Sequence, residues 1–141
     1  AFQDGDAEEI ERHLRQYLEQ AIGLRDNAQR EDLRESFYHG ILLGLLSSRG
    51  DWIVTSNRES GEGYSDIQIE LKKEKMGIVI EVKYAGAGKL ETKCQEALRQ
   101  IAAKKYGQKL RQEGMQAILS YGIACRRDDC RVMLVKEESN T

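Results

Sequence analysis

Two segments in the middle of the chain alternate between apolar and polar residues, and each places acidic residues on its polar side. Residues 64–71 carry Asp66, and residues 77–85 carry Glu81 and Lys83. Alternation with a period of two is typical of a half-buried strand, and residues two apart share a face. Glu81 and Lys83 therefore lie on one face, and we expect apolar side chains to fill the other.

The polar stretch 72–75 between these segments sets their register. If it forms the loop of a hairpin, counting back along both strands places Asp66 directly opposite Glu81. Like charges opposed on a sheet are destabilising, and carboxylate oxygens are the ligands that Mg²⁺ and Mn²⁺ prefer. The pattern predicts a divalent-metal site. The alternative is a pair of solvated carboxylates relieved by Lys83, and a slip of one residue would separate the pair.

Helices are predicted on both sides of this hairpin. A capping box at Asp6–Glu9 begins the first helix, which ends at Gly23. The second is expected from about 30 to 48 and the third from about 90 to 113. The second helix should be largely buried along a stripe of apolar residues at helical spacing. This stripe consists of Leu33, Phe37, Ile41 and Leu45, thickened by Leu42 and Leu46.

Further strands are predicted at 52–56, 117–125 and 131–135 because these stretches are rich in β-branched and apolar residues. The resulting order, α-α-β-β-β-α-β-β, predicts an α/β fold with a mixed sheet flanked by helices. Residues 1–141 are expected to form a single domain. The start AFQDGD lacks an initiator methionine, so we expect a domain cut from a longer protein.

Composition is that of an ordinary globular domain, with 40% hydrophobic and 33% charged residues and a net charge of −2. No apolar run approaches the length of a membrane span, so no membrane partner is expected. An odd count of three cysteines favours a reducing, cytoplasmic location. Cys125 and Cys130 flank a predicted turn, which leaves a disulfide as the alternative to two reduced thiols.

The motifs around the hairpin resemble those of the PD-(D/E)XK nuclease superfamily. They are Gly63-Tyr-Ser-Asp66 on one strand and Ile80-Glu-Val-Lys83 on the next. The stretches 35–40 and 56–61 make the resemblance more specific. They resemble the C-terminal nuclease-like domain of bacterial proteins that carry an N-terminal AAA-ATPase-like domain. The resemblance covers nearly the whole chain and implies a restriction-endonuclease-like fold. Ser65 stands where the motif usually has proline.

The resemblance also implies roles for individual residues. Asp66, Glu81 and the backbone carbonyl of Val82 would bind Mg²⁺ or Mn²⁺, and Lys83 would orient the attacking water and stabilise the transition state. Glu35, on the second helix, would complete the metal site. Its alternative role is that of a helix surface charge.

A second group of residues is predicted to contact nucleic acid. Gln100 lies on the third helix at a position where RecB-like members carry glutamine, and its polar helix face would add a positive lining for phosphates. The alternatives are a solvated helix face and, for the histidine, ordinary hydrogen bonding. The predicted contacts are Gln100, Lys104, Arg58, His39, Lys93 and Lys89.

These features predict a metal-dependent nuclease that hydrolyses phosphodiester bonds, with DNA as the expected partner. The alternative function is a catalytically silent, nuclease-like module that binds nucleic acid or a partner on behalf of an attached ATPase domain. By analogy with nucleases of this type, pairing into a homodimer is also expected.

Gly86-Ala-Gly88-Lys89 lacks the spacing and the Ser or Thr of a phosphate-binding P-loop, so no nucleotide cofactor is expected.

Overall fold

The computed structural model describes residues 2, 5–23, 35–47, 52–58, 65–85, 89–104, 110–127 and 129–138. Along these residues the helices and strands follow the predicted order. Their bounds are α1 Ala7–Gly23, α2 Glu35–Ser47, β1 Ile53–Arg58, β2 Ser65–Leu71, β3 Met76–Tyr84, α3 Leu90–Ala103, β4 Ala117–Arg126 and β5 Asp129–Glu138. The prediction of a mixed α/β fold with flanking helices is therefore confirmed.

Several predicted boundaries differ from those observed. Helix α3 ends at Ala103, earlier than expected. Residues 105–109 lie outside the described part of the chain, and residues 110–112 are again helical. Strand β5 runs on to Glu138, past its predicted end. The predicted beginning of the second helix, before Glu35, also lies outside the described residues.

The strands form one sheet in the order β1-β2-β3-β4-β5. Neighbouring strands are antiparallel, except for the parallel pair of β3 and β4. A parallel pair needs a long crossover connection, and α3 lies in that connection. The sheet is therefore mixed, and its parallel pair is at the centre.

Apolar side chains cover both faces of the sheet. One face packs against α1 and α2 through a large cluster that includes Leu14, Leu18, Leu42, Ile67 and Ile80. The other face packs against α3 through a smaller cluster that includes Val79, Ile101 and Ile118. We call this second side the α3 face. Residues of β3 alternate between the two faces, so Glu81 and Lys83 lie on the α3 face with Val79.

Helix α2 buries one side of the predicted stripe. Among its described side chains, Leu42 and Leu46 are buried as predicted, together with Tyr38 and His39, whereas Leu45 of the same stripe is 43% exposed. The buried face is therefore centred on the row of Tyr38, Leu42 and Leu46. Because α2 is apolar on almost every side, its sequence pattern does not determine which face is buried. The expectation of a largely buried helix was also wrong, since Gly40 and Gly44 are exposed.

Replacing Gly44 with alanine should stabilise the protein. The residue lies inside α2, and a Cβ built there meets no described atom within 4 Å. Alanine loses less backbone entropy than glycine on entering a helix, so we expect the free energy of unfolding to rise by about 0.5–1 kcal/mol. Urea unfolding measures this change. A loss of stability instead would mean that this face of α2 is closely packed in the folded chain.

The three cysteines are free and buried. Cys125 and Cys130 lie directly opposite each other in β4 and β5, as predicted for a hairpin, and the two thiols are not joined in a disulfide. Burial raises the pKa of Cys94 to about 11 and that of Cys130 to about 12. All three thiols are therefore protonated at neutral pH, and a protonated thiol is a poor nucleophile.

The outer edge of β5 is covered by α1. Glu11 accepts a hydrogen bond from the backbone N–H of Val132 at 2.9 Å, and Arg15 donates one to the carbonyl oxygen of Cys130 at 3.1 Å. Arg15 also pairs with Asp129, and Arg131 with Glu11. These contacts satisfy edge groups that would otherwise invite pairing with another strand. Among the described residues, no helix is long and apolar enough to cross a membrane.

Candidate functional site

The register of the central hairpin matches the prediction. Leu71 pairs with Met76 around a turn at 72–75, and the backbone N–H of Lys75 donates to the carbonyl of Lys72 at 3.3 Å. Asp66 therefore lies directly opposite Glu81. The side chain of Asp66 itself lies outside the described residues, so the structure gives its backbone position and its strand partner.

Backbone hydrogen bonding further defines the geometry of this pair. Ala85, at the end of β3, donates its N–H to the carbonyl of Cys125 on β4 at 2.9 Å. Since the backbone groups of successive strand residues point to opposite edges, Glu81 and Lys83 also bond toward β4. The Asp66–Glu81 pair is then of the non-hydrogen-bonded type, in which the Cα atoms are about 4.5 Å apart and the side chains lie close together.

This pair is the last one described between β2 and β3, whereas β3 continues beside β4 as far as Tyr84. By the same alternation the carbonyl of Val82 points toward β2, next to this last described pair. The carboxylate of Glu81 and the carbonyl of Val82 therefore lie beside the position of Asp66.

Glu81 is fully buried on the α3 face, with a relative exposure of 0%, and Lys83 is buried at 3%. Removing a carboxylate and an ammonium from water is costly unless opposite charges or polar partners lie close by. An apolar residue at either position would fit the surrounding core without that cost. Two buried charged side chains on one face of β3 indicate a functional site, because packing alone does not require them.

Lys104 supplies a second positive charge at Glu81. Its Nζ lies 3.5 Å from Glu81 Oε1, and its side chain is 20% exposed. Lys104 is the C-terminal cap of α3 and donates its backbone N–H to the carbonyl of Gln100. In this structure the ammonium of Lys104 lies against Glu81, and its predicted contact with phosphate stays a prediction.

Gln100 lies one helical turn before Lys104. Its Oε1 is buried and accepts no hydrogen bond from the described residues. A buried amide oxygen without a donor is uncommon in folded proteins and calls for an explanation. The Oε1 atom of Gln100 is therefore placed to accept a hydrogen bond from a water molecule or from a bound ligand, one helical turn from Lys104.

Close contact between α3 and the sheet depends on Gly122, which the sequence analysis did not select. Gly122 pairs with Glu81 across the parallel strands. A Cβ at Gly122 would collide with the carbonyl oxygen of Cys94 and lie 3.0 Å from Leu98 Cγ. A glycine inside a strand often marks such an approach of another backbone, so this residue could have been found from the sequence.

The beginning of α2 approaches the same end of the sheet from the opposite face. Tyr38 stacks on Tyr84, with ring centroids 6.4 Å apart, and Tyr84 directly follows Lys83 in β3. Helix α2 begins at Glu35, one turn before Tyr38, but the side chain of Glu35 lies outside the described residues. His39 is 6% exposed and so lies within the protein, where direct contact with a phosphate would need a local opening.

The remaining predicted contacts surround the site less closely. Lys93 is partly exposed, and its ammonium pairs with Glu96 at 3.2 Å. Lys89 is exposed at the N-terminal cap of α3. Arg58 pairs with Ser65 at the end of β1, beside Asp66, although its side chain lies outside the described residues. The predicted positive lining stays a prediction.

Oxygen donors at this site suit a hard divalent cation. The described side chains contain no group of three or more acidic, histidine or cysteine residues arranged around a metal position. The position of Asp66, the carboxylate of Glu81 and the carbonyl of Val82 nevertheless lie together at the last described pair of β2 and β3. Carboxylate and carbonyl oxygens are the ligands that Mg²⁺ and Mn²⁺ prefer, so the residues fit such an ion.

Comparison with known proteins identifies the family. A family description, PD-(D/E)XK nuclease superfamily, matches residues 33–134, which span α2 to β5 and include Asp66, Glu81 and Lys83. No curated protein and no solved structure matches the chain. Since the match covers well over half of the chain and contains the whole hairpin site, this chain belongs to the PD-(D/E)XK nuclease superfamily.

Proposed function

We propose that the chain is a metal-dependent nuclease that hydrolyses phosphodiester bonds in nucleic acid, with DNA as its substrate. The observation that carries the proposal is the opposition of Asp66 and Glu81 in register, with Lys83 buried on the same face of the sheet. This arrangement lies within the matched superfamily region.

In this proposal, each residue at the site has a distinct role. Asp66, Glu81 and the Val82 carbonyl would hold Mg²⁺ or Mn²⁺, and Glu35 would complete the set from α2. The ion would supply Lewis acidity and a bound water of lowered pKa. Lys83 orients the attacking water and stabilises the charge that develops on the phosphate oxygens. Gln100 offers a buried acceptor near the reacting groups.

A cleavage assay tests this function. Labelled single-stranded, duplex and branched DNA, with an RNA of matched sequence, are incubated with the protein and Mg²⁺ or Mn²⁺. Wild type should cut in a metal-dependent way, and Asp66→Ala and Lys83→Ala should each lower the rate by about a hundredfold or more. Glu74→Ala and Lys72→Ala are matched controls, because both residues are exposed in the turn of the same hairpin.

Each outcome of this assay has a definite meaning. Cutting that survives both site substitutions would come from a contaminant or another site, and the proposed active site would be wrong. Faster cutting of the RNA than of any DNA would mean that RNA, and not DNA, is the substrate. Absence of cutting by every form, together with metal binding that needs Asp66, would favour the second function below.

The second candidate function is a nuclease-like module that binds nucleic acid or a partner without cutting, in the service of an attached AAA-ATPase-like domain. Its supporting observation is the ion pair of Glu81 with Lys104, since two lysines can balance two acidic positions without a metal. The attached domain, pairing into a homodimer and a cytoplasmic location remain predictions.

A further inference from the structure

We propose that Lys104 is a displaceable internal cation that occupies the acidic pair in the metal-free chain and leaves it when a divalent ion binds. The inference deepens the proposed function, on which it rests. It starts from the contact between Lys104 Nζ and Glu81 Oε1 at 3.5 Å. Glu81 belongs to the proposed ligand set, so Lys104 and a metal ion would use the same carboxylate.

The charges at the site explain why the two cations compete. Asp66 and Glu81, with Glu35 from α2, bring three negative charges to the proposed site, and Lys83 and Lys104 bring two positive charges. The lysines therefore offset most of the acidic charge without a metal. A divalent ion added with both lysines in place would give the site a net positive charge in a buried place, where repulsion between cations is strong. Departure of Lys104 removes that excess.

The position of Lys104 allows such a departure, whereas that of Lys83 does not. Lys83 lies within β3 and is 3% exposed, so its ammonium is enclosed by the sheet and by α3. Lys104 caps the end of α3 and its side chain is 20% exposed. A long lysine side chain at a helix end reaches water by rotation of its methylene groups, without unfolding of the helix.

The displaced ammonium has a second use. An ammonium released from Glu81 adds positive charge beside the metal and helps to attract the phosphate of a phosphodiester. Lys104 thus passes from an acidic partner inside the chain to an anionic partner on the substrate. Metal binding and nucleic-acid binding are then coupled through one side chain.

The test measures Mn²⁺ affinity by calorimetry on the full chain, without substrate. Lys104→Met removes the competing charge and keeps much of the side-chain volume, and we expect its Kd for Mn²⁺ to be about tenfold lower than that of wild type, since even a modest ion pair must be broken before the ion binds. Arg99→Met is the matched control. It removes a positive charge from the same helix, but Arg99 is exposed and has no role in the proposed site, so its Kd should equal that of wild type.

Thermal unfolding gives a second reading. With EDTA present, Lys104→Met should unfold at a lower temperature than wild type, because Glu81 keeps a buried charge and loses a partner. Added Mn²⁺ should raise the unfolding temperature of this variant by more than it raises that of wild type. Lys104→Arg retains the charge and binds carboxylates more firmly, so this variant should bind Mn²⁺ more weakly than wild type. It provides the test of the inference if Lys104→Met does not fold.

The outcomes separate this inference from the proposed function. Equal Mn²⁺ affinity of wild type and Lys104→Met, or tighter binding by Lys104→Arg, would overturn the inference and leave the metal site standing. Absence of Mn²⁺ binding in wild type and in every Lys104 variant would overturn both. Tighter Mn²⁺ binding by Lys104→Met, with unchanged binding by Arg99→Met, is the result that supports the inference.

Discussion

Replacing Glu81 with glutamine is expected to lower metal-dependent cleavage by roughly a thousandfold, because the metal contributes several kcal/mol of transition-state stabilisation. Glutamine has nearly the same shape, so the packing beneath α3 is kept while the ligand charge is lost. Cleavage of the best DNA substrate, measured under single-turnover conditions, gives the effect on the chemical step.

The same substitution should also weaken the fold. Lys83 is buried and Lys104 lies against Glu81, so glutamine leaves two ammonium groups near a neutral side chain. Breaking a buried ion pair from one side costs about 3–5 kcal/mol. Because Lys104 is partly exposed and can turn toward water, we expect a loss of about 3 kcal/mol, which should appear as a lower midpoint of urea unfolding.

Glu96→Gln is the control for both measurements. Glu96 is an acidic residue of α3 that pairs with Lys93 at the surface, with its side chain 37% exposed. Exposed pairs contribute little to stability, and this one lies outside the acidic pair, so neither cleavage nor unfolding should change. Cleavage at the wild-type rate by Glu81→Gln would mean that Glu81 takes no part in the reaction.

Replacing Gly122 with alanine is expected to destabilise the protein by about 3 kcal/mol. The added Cβ would collide with the carbonyl oxygen of Cys94 and press on Leu98. A backbone carbonyl within a helix cannot rotate away, so α3 must shift as a body, and such overpacking costs about 1–3 kcal/mol, occasionally more. Urea unfolding of the variant and wild type measures the loss.

The displacement of α3 should also reach the site, because Gly122 pairs with Glu81 across the sheet. A shifted α3 carries Gln100 and Lys104 away from the acidic pair. We therefore expect a lower cleavage rate for each folded molecule, measured at a temperature where the variant remains folded. Gly44→Ala is the matched substitution, since it adds the same methyl group where there is space. Unchanged stability of Gly122→Ala would mean that the contact with α3 is looser than the structure describes.

The hairpin could be predicted because the length of its turn and the alternation of apolar residues along both strands indicate the same pairing. A polar stretch of four residues lies between two alternating segments, and one face of each strand must be apolar. A slip of one residue would turn Ile67, Ile69 and Ile80 away from the core, and the four-residue turn sets where the pairing begins, so burial and turn length together fix the register. That register in turn places Asp66 opposite Glu81. For this reason the geometry of the acidic pair followed from the sequence before any fold was known.

The exact buried face of α2 and the contact of Lys104 could not be predicted in the same way. Helix α2 has apolar residues on nearly every side, so its periodicity does not show that the side of Tyr38 and Leu42 is buried more deeply than that of Leu45. For Lys104, the helical pattern indicates only a polar side. Whether that side meets solvent or the carboxylate of Glu81 depends on how closely α3 lies on the sheet, and Gly122 sets that distance. Both features are tertiary and leave little trace in local periodicity.

The cover that α1 places over β5 has a consequence for how the chain folds. Glu11 and Arg15 come from the first helix, and they bond to Val132 and Cys130 of the last strand. These contacts join residues more than a hundred positions apart in sequence, and they raise the contact order of the molecule. Closing so long a loop is entropically costly and rewards the chain only when both partners are in place. Until α1 docks, β5 offers one unpaired edge, so a partly folded chain that lacks this docking is prone to pair with another copy along that edge.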